Sequence, residues 1–186
     1  MTTANVTFGQ QVKNYLSLIK FSHTVFALPF AMIGFSMAVV KDGHSFSWDL
    51  FVKVLLCMVF ARTSAMAFNR YLDRRFDARN PRTAIREIPA GILKANSVLL
   101  FTIANAVLFV VAAYFINPLC FYLSPIALLV VLGYSYTKRF TPLCHLVLGL
   151  GLSLAPIGAY LAVTAAFSLL PVLFSLAVIF WVSGFD

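Results

Sequence analysis

Asn69, Asp73 and Asp77 stand four residues apart in the stretch Arg62 to Gly91. On a helix that spacing puts them on one face, climbing about 6 Å at each step. Each side chain offers an oxygen. Seven arginines share the stretch: Arg62, Arg70, Arg74, Arg75, Arg79, Arg82 and Arg86. Hard oxygen ligands suit Mg²⁺, and Mg²⁺ beside guanidinium groups suits a diphosphate. The chemistry these parts could run is departure of an allylic diphosphate. Cationic groups would neutralise the charge that develops on the leaving group, and apolar walls would keep water from the carbocation. That cation could alkylate an electron-rich aromatic ring without a covalent enzyme nucleophile. The plainer alternative is a solvated helix end, with Asp73 paired to Arg70 and Asp77 to Arg74 three residues away.

The elements that must hold this row are almost all apolar. The chain has 186 residues, of which 61% are hydrophobic and 11% charged. Its mean hydropathy is +0.92. Soluble domains carry roughly 25% charged residues, so the composition is that of a membrane protein. The net charge of +8 sits between apolar runs rather than across a soluble domain. Lipid headgroups and membrane orientation account for it, and no nucleic-acid partner is expected. Cys57, Cys120 and Cys144 lie far apart in apolar runs, without metal or disulfide spacing.

Six spans are expected in a single membrane domain covering residues 1–186: about 21–40, 49–68, 97–116, 119–136, 142–165 and 169–185. The first is long enough to cross and too long for a signal peptide's apolar core. Residues 1–20 have an amphipathic look and read as a short interfacial segment. The second helix should run past Asp77 and stop before Asn80-Pro81, because a residue preceding proline avoids the helical region. Arg62, about two turns before Asn69, is costly at its depth and needs a reason. With the N-terminus inside, Lys13, Lys20, the loop from Arg70 to Lys94, and Lys138-Arg139 fall inside, while Lys41 and Lys53 fall outside. This satisfies the positive-inside pattern. Asp186 then lands level with Asp73 and Asp77. Gly34-x-x-x-Ala38 and Gly151-x-x-x-Ala155 with Gly158 permit close helix packing, or are ordinary membrane-helix composition. His23 and His145 read as satisfied polar groups rather than catalysts.

The residues also resemble a known family. Arg62, Asn69, Asp73, Arg74 and Asp77 form R-x(6)-N-x-x-x-D-R-x-x-D, followed by R-T-A-I-R at Arg82 to Arg86 and P-A-G at Pro89 to Gly91. F-S-H-T-V-F-A-L-P-F at Phe21 to Phe30, Y-S-Y-T-K-R at Tyr134 to Arg139 and A-P-I-G-A at Ala155 to Ala159 match other segments. Together they resemble the UbiA-type intramembrane prenyltransferases, and within them the 4-hydroxybenzoate polyprenyltransferase branch of ubiquinone or menaquinone synthesis.

The resemblance implies an all-α, multipass transmembrane bundle, with six spans present of an expected nine and the chain truncated at its C-terminus. It implies a Mg²⁺-dependent enzyme of the inner (cytoplasmic) membrane, taking a polyprenyl diphosphate and an aromatic acid. Asn69, Asp73 and Asp77 are then the first metal-binding motif, with Asp186 opening the second. Arg79, Arg82, Arg86 and Lys138 hold diphosphate. Asp73, Asp77 and Lys138 carry the catalysis. Arg62, Asn69 and Tyr134 face the aromatic substrate. Arg70 stands where relatives usually have a second acid, and Glu87 where many have proline. A naphthoate-type menaquinone precursor is therefore an alternative acceptor. As given, the chain is expected to be inactive alone. A reading of another class is a non-catalytic membrane protein that binds or transports lipid.

Overall fold

The computed structural model describes residues 7–20, 24–137, 139–141 and 144–185, with the side chains of residues 24, 25 and 185 left aside. His23, Lys138 and Asp186 lie outside the described residues. Among those residues all regular secondary structure is helical. Seven helices follow one another: α1 (Phe8–Leu18), α2 (Thr24–Ser36), α3 (Trp48–Asp77), α4 (Ala95–Tyr114), α5 (Pro118–Thr137), α6 (Cys144–Thr164) and α7 (Leu169–Phe185). A π-helical turn, Met37–Lys41, extends α2.

Helices α2 to α7 coincide with the six expected spans. Helices α3, α4, α5 and α6 are each long and apolar enough to cross a membrane, while Phe26–Lys41 and Leu169–Gly184 are shorter apolar helices. Large apolar side chains stay on the outside throughout, among them Leu100, Val107, Leu129 and Phe180. Such a surface is stable against hydrocarbon and not against water.

Helix α3 sets the position of the functional row. Its 30 residues make it about 45 Å long at 1.5 Å per residue. A bilayer core is about 30 Å thick, so the helix overshoots it. Ser47 caps its start, accepting from the Leu50 amide at 3.4 Å, and Lys53 pairs back to Asp49 at 2.6 Å. The overshoot falls at the other end, which carries Asn69, Asp73 and Asp77.

At that end α1 packs against the bundle. Leu18 and Ile19 are buried with Ala67, Leu93 and Val98, flanked by Tyr15, Tyr71, Ile88 and Phe101. The opposite side of α1 exposes Phe8, Val12 and Leu16, an i, i+4, i+8 apolar stripe. A second core lies at the far end, where Ala31 and Phe35 of α2, Val54 of α3, and Ala159 and Ala162 of α6 meet. Polar contacts close it: Tyr160 donates to Asp42 Oδ2 at 2.6 Å, and Asn117 donates to the Leu161 carbonyl at 2.9 Å. Asn117 Oδ1 also accepts from the Cys120 amide at 2.8 Å, so one side chain starts α5 and ties it to α6.

The small-residue stripes divide. A Cβ built on Gly34 would lie 2.0 Å from the Pro156 carbonyl oxygen, so α2 and α6 cross where glycine is required. Ala38, one turn on, is fully buried. Gly151 and Gly158 have no such crowding, and the tight glycine on α6 is Gly149, whose Cβ would lie 2.7 Å from the Ile179 carbonyl oxygen of α7.

Candidate active site

Among the described residues each member of the row on α3 meets a different neighbour. Asn69 Nδ2 donates to Ser135 Oγ of α5 at 3.4 Å, which leaves the Asn69 carbonyl oxygen available. Asp73 Oδ1 lies 3.5 Å from Arg139 Nη2, just beyond α5. Arg139 also donates to the Leu72 carbonyl at 3.0 Å and stacks over Phe76, 5.1 Å from the ring centroid. Asp77 Oδ1 accepts from Arg86 Nη1 at 2.7 Å. Among the described residues the ion pairs of the row are made with Arg86 and Arg139 rather than with Arg74 and Arg70. Arg74 instead donates to its own helix at the Tyr71 carbonyl and lies 4.2 Å over the Tyr71 ring. Arg70 reaches the Leu18 carbonyl at 3.4 Å.

Residues 78–94 return the chain beneath this row as a series of turns. Helix α3 ends at Asp77, before Asn80-Pro81 as expected but without running past Asp77. The Thr83 hydroxyl then donates to the Asp77 carbonyl at 3.1 Å, and Asn80 Oδ1 accepts from the Arg82 amide at 3.0 Å. These bonds fold the segment back on the helix end and bring Arg86 to Asp77. Gly91, at φ 74°, makes the left-handed turn into α4 that a side chain would oppose.

Asp77 is the most enclosed of the three. It is 7% exposed, and its Oδ2 has no hydrogen-bond partner among the described residues. A buried carboxylate oxygen without a donor is costly, so a cation there would satisfy it. Arg79 and Arg82 are exposed on the same segment and Arg86 is half-buried. Among the described residues no three His, Cys, Asp or Glu side chains gather tightly enough to hold a metal by themselves. Mg²⁺ does not need such a cage, because it keeps waters and takes substrate phosphates beside one or two carboxylates. The donor set of Asn69, Asp73 and Asp77 therefore fits Mg²⁺ in the presence of a diphosphate.

Arg62 lies two turns up α3 from Asn69. Its Nε is buried without a hydrogen-bond partner among the described residues. Tyr134 precedes Ser135 on α5, which faces Asn69 across the helix interface. Sequence reasoning passed over Ser135 and Arg139 as contacts of the row. Both lie inside the Y-S-Y-T-K-R segment, and the basic pair there was a visible signal for Arg139.

Residues 27–186 match the model of the UbiA prenyltransferase family. The chain is 33% identical over 148 residues to a 4-hydroxybenzoate octaprenyltransferase of Aeromonas hydrophila, covering 80% of this chain and 51% of that protein. It is 35% identical over 156 residues to protoheme IX farnesyltransferase 2 of Vibrio campbellii, covering 81% of this chain and 49% of the relative. The chain thus spans about half the length of these curated relatives. Its fold superposes on the apo structure of a UbiA homolog from Aeropyrum pernix K1 with a TM-score of 0.77 and 32% identity, covering 89% of this chain and 62% of that one. A UbiA homolog from Archaeoglobus fulgidus, whose structure holds DMAPP and Mg²⁺, shares the fold at a TM-score of 0.72 and 23% identity, covering 92% of this chain and 61% of that one. The helical order, the row on α3 and the sequence match over residues 27–186 together establish that this multipass membrane chain belongs to the UbiA prenyltransferase family.

Proposed function

We propose that the protein transfers a polyprenyl group from a polyprenyl diphosphate to an aromatic acid, 4-hydroxybenzoate in the leading reading, with Mg²⁺ as cofactor. The observation that carries the proposal is the buried Oδ2 of Asp77, without a hydrogen-bond partner among the described residues, beside Arg86 at the foot of a helix face that also bears Asn69 and Asp73. Asn69, Asp73 and Asp77 hold the metal, with Asp186 added from the sequence pattern. When bound, Mg²⁺ supplies positive charge to a departing diphosphate.

The chain's own residues do the rest. Arg79 and Arg82 are free in solvent to meet an incoming diphosphate, and Arg86 is held on Asp77 where the two can share it. Lys138, at the end of α5 in the sequence, joins them. The allylic C–O bond breaks, and diphosphate leaves with the electron pair. The allylic carbon bonds to a ring carbon of the acceptor, which then loses its proton. The apolar helices exclude water while the cation exists. Arg62 suits the acceptor's carboxylate, since a buried guanidinium seeks a bidentate anion. Tyr134 borders the ring. The enzyme lies in the inner membrane with α1 and residues 78–94 on the cytoplasmic side, as the distribution of basic residues supports.

The similarity to protoheme farnesyltransferases favours a second reading, in which the acceptor is a larger ring system. A naphthoate-type acceptor is a further alternative. One assay separates them. Membranes carrying the protein at its full natural length are given Mg²⁺, a polyprenyl diphosphate, and labelled 4-hydroxybenzoate, a naphthoate or a haem in parallel. Prenylated 4-hydroxybenzoate that disappears with EDTA and in Asp73→Ala is expected. Product on another acceptor alone replaces the acceptor, and undiminished product from Asp73→Ala removes the metal role.

A further inference from the structure

The amphipathic helix α1 is fastened to the candidate site by two contacts that meet at its last turn. Ser17 donates its hydroxyl proton to Glu87 Oε1 at 2.6 Å. Arg70 Nε donates to the carbonyl of Leu18, the final residue of α1, at 3.4 Å. A helix's last carbonyls lack intrahelical partners and carry partial negative charge, so a guanidinium is well placed there. Arg70 is 6% exposed and sits on α3 midway between Asn69 and Tyr71, one turn before Arg74. Leu18, Arg70, Asp77, Arg86 and Glu87 all line one small crevice. Glu87 follows Arg86 directly in the chain, so whatever fixes Glu87 also limits where Arg86 can lie. Arg70 and Glu87 therefore act on the same short piece of α1.

We infer that Ser17, Glu87 and Arg70 are positioning residues, which latch α1 to residues 78–94 and so hold Arg86 on Asp77. None of the three needs to touch substrate. Glu87 is held by the Ser17 hydroxyl from the side of α1, and its backbone carbonyl accepts from the Leu93 amide at 2.9 Å. The segment is thereby pinned at its middle as well as at Thr83. Arg70 holds the other side of the latch, anchored in α3. Releasing the latch leaves the membrane helices intact but lets residues 78–94 swing, so diphosphate binding suffers before any chemical step.

This inference rests on the prenyl-transfer reading for its kinetic arm, but not for its structural one. The full-length protein in nanodiscs is compared with Ser17→Ala, Glu87→Leu, Glu87→Gln, the double variant of Ser17→Ala with Glu87→Leu, and Arg70→Lys. The structural arm is the rate of tryptic cutting after the exposed Arg79 and Arg82. The kinetic arm is KM for a polyprenyl diphosphate against kcat. Ser17→Ala and Glu87→Leu are expected to raise both the cutting rate and KM by about three- to tenfold, the usual worth of one hydrogen bond, with kcat held. The double variant should be no worse than either single one, because both remove the same bond. Glu87→Gln keeps an acceptor for Ser17 and should restore most of both values. Arg70→Lys retains the charge without the fork and should fall between. Wild-type cutting and KM in both Ser17→Ala and Glu87→Leu, or effects that simply add in the double variant, overturn the latch. If wild type transfers no prenyl group at all, the functional reading fails, while the cutting rates still decide the latch.

Discussion

Arg86 and Asp77 are nine residues apart, and their side chains meet at 2.7 Å across a chain reversal. Nothing within α3 supplies that partner. The reversal at Asn80-Pro81 and the Thr83 bond to the Asp77 carbonyl make it. The pair satisfies one Asp77 oxygen, and the other is buried without a hydrogen-bond partner among the described residues. Arg86→Ala is therefore expected to damage the site twice, by removing a charge and by leaving a buried carboxylate unpaired. Loss of about 10²- to 10³-fold in kcat/KM for the prenyl diphosphate is expected, the usual scale for one electrostatic contact to a developing charge. Arg86→Lys, a point charge without the fork, should recover part of it. Steady-state kinetics on both variants check this.

Arg62 gives a different signature. If its guanidinium receives the acceptor's carboxylate, Arg62→Leu should raise KM for the aromatic acid with little change in KM for the prenyl diphosphate. A charge-assisted contact of this kind is worth about 1.5–3 kcal/mol, or roughly 10- to 100-fold. An equal rise for both substrates would assign Arg62 to packing instead.

The crossing of α2 and α6 is tested by stability alone. Gly34→Ala forces a Cβ to within 2.0 Å of the Pro156 oxygen, so one helix must move. A cost of about 1–3 kcal/mol is expected. Gly149→Ala, facing the Ile179 carbonyl at 2.7 Å, should also destabilise. Gly158→Ala has open space and should be neutral or slightly stabilising, since it removes glycine from a helix. Thermal unfolding in one detergent ranks the three.

At the far end, Tyr160→Phe removes the donor to Asp42 Oδ2. About 1 kcal/mol of stability is expected to go with it, and prenyl transfer should persist, because the contact lies across the bundle from Asp77. A loss of activity beyond the loss of folded protein would place that end in the reaction.

The helices were legible because each is a long apolar run closed by polar or proline signals. The row on α3 was legible because four-residue spacing is a helix period and its oxygen donors stand out in an apolar chain. Its partners were not. Three-residue spacing offered Arg70 and Arg74, yet Arg74 stacks on Tyr71 and Arg70 turns to Leu18. Side-chain choice there depends on where α1 and residues 78–94 dock, which no local pattern encodes. The same holds for Gly149, which no small-residue stripe marked. It is tight because α7 returns along α6, a tertiary fact. Arg70 and Glu87 both contact the last turn of α1, a meeting of three distant segments that no local pattern marks.

The central claim is that the oxygen row on α3 grips diphosphate through Mg²⁺. Equilibrium binding of a polyprenyl diphosphate to the full-length protein, with and without Mg²⁺, measures it directly. The account predicts tight binding by wild type that weakens at least about tenfold, or 1.4 kcal/mol, on adding EDTA or in Asp77→Ala, with EDTA having no further effect on Asp77→Ala. Equal binding by wild type and Asp77→Ala at saturating Mg²⁺, or binding indifferent to EDTA, would contradict it.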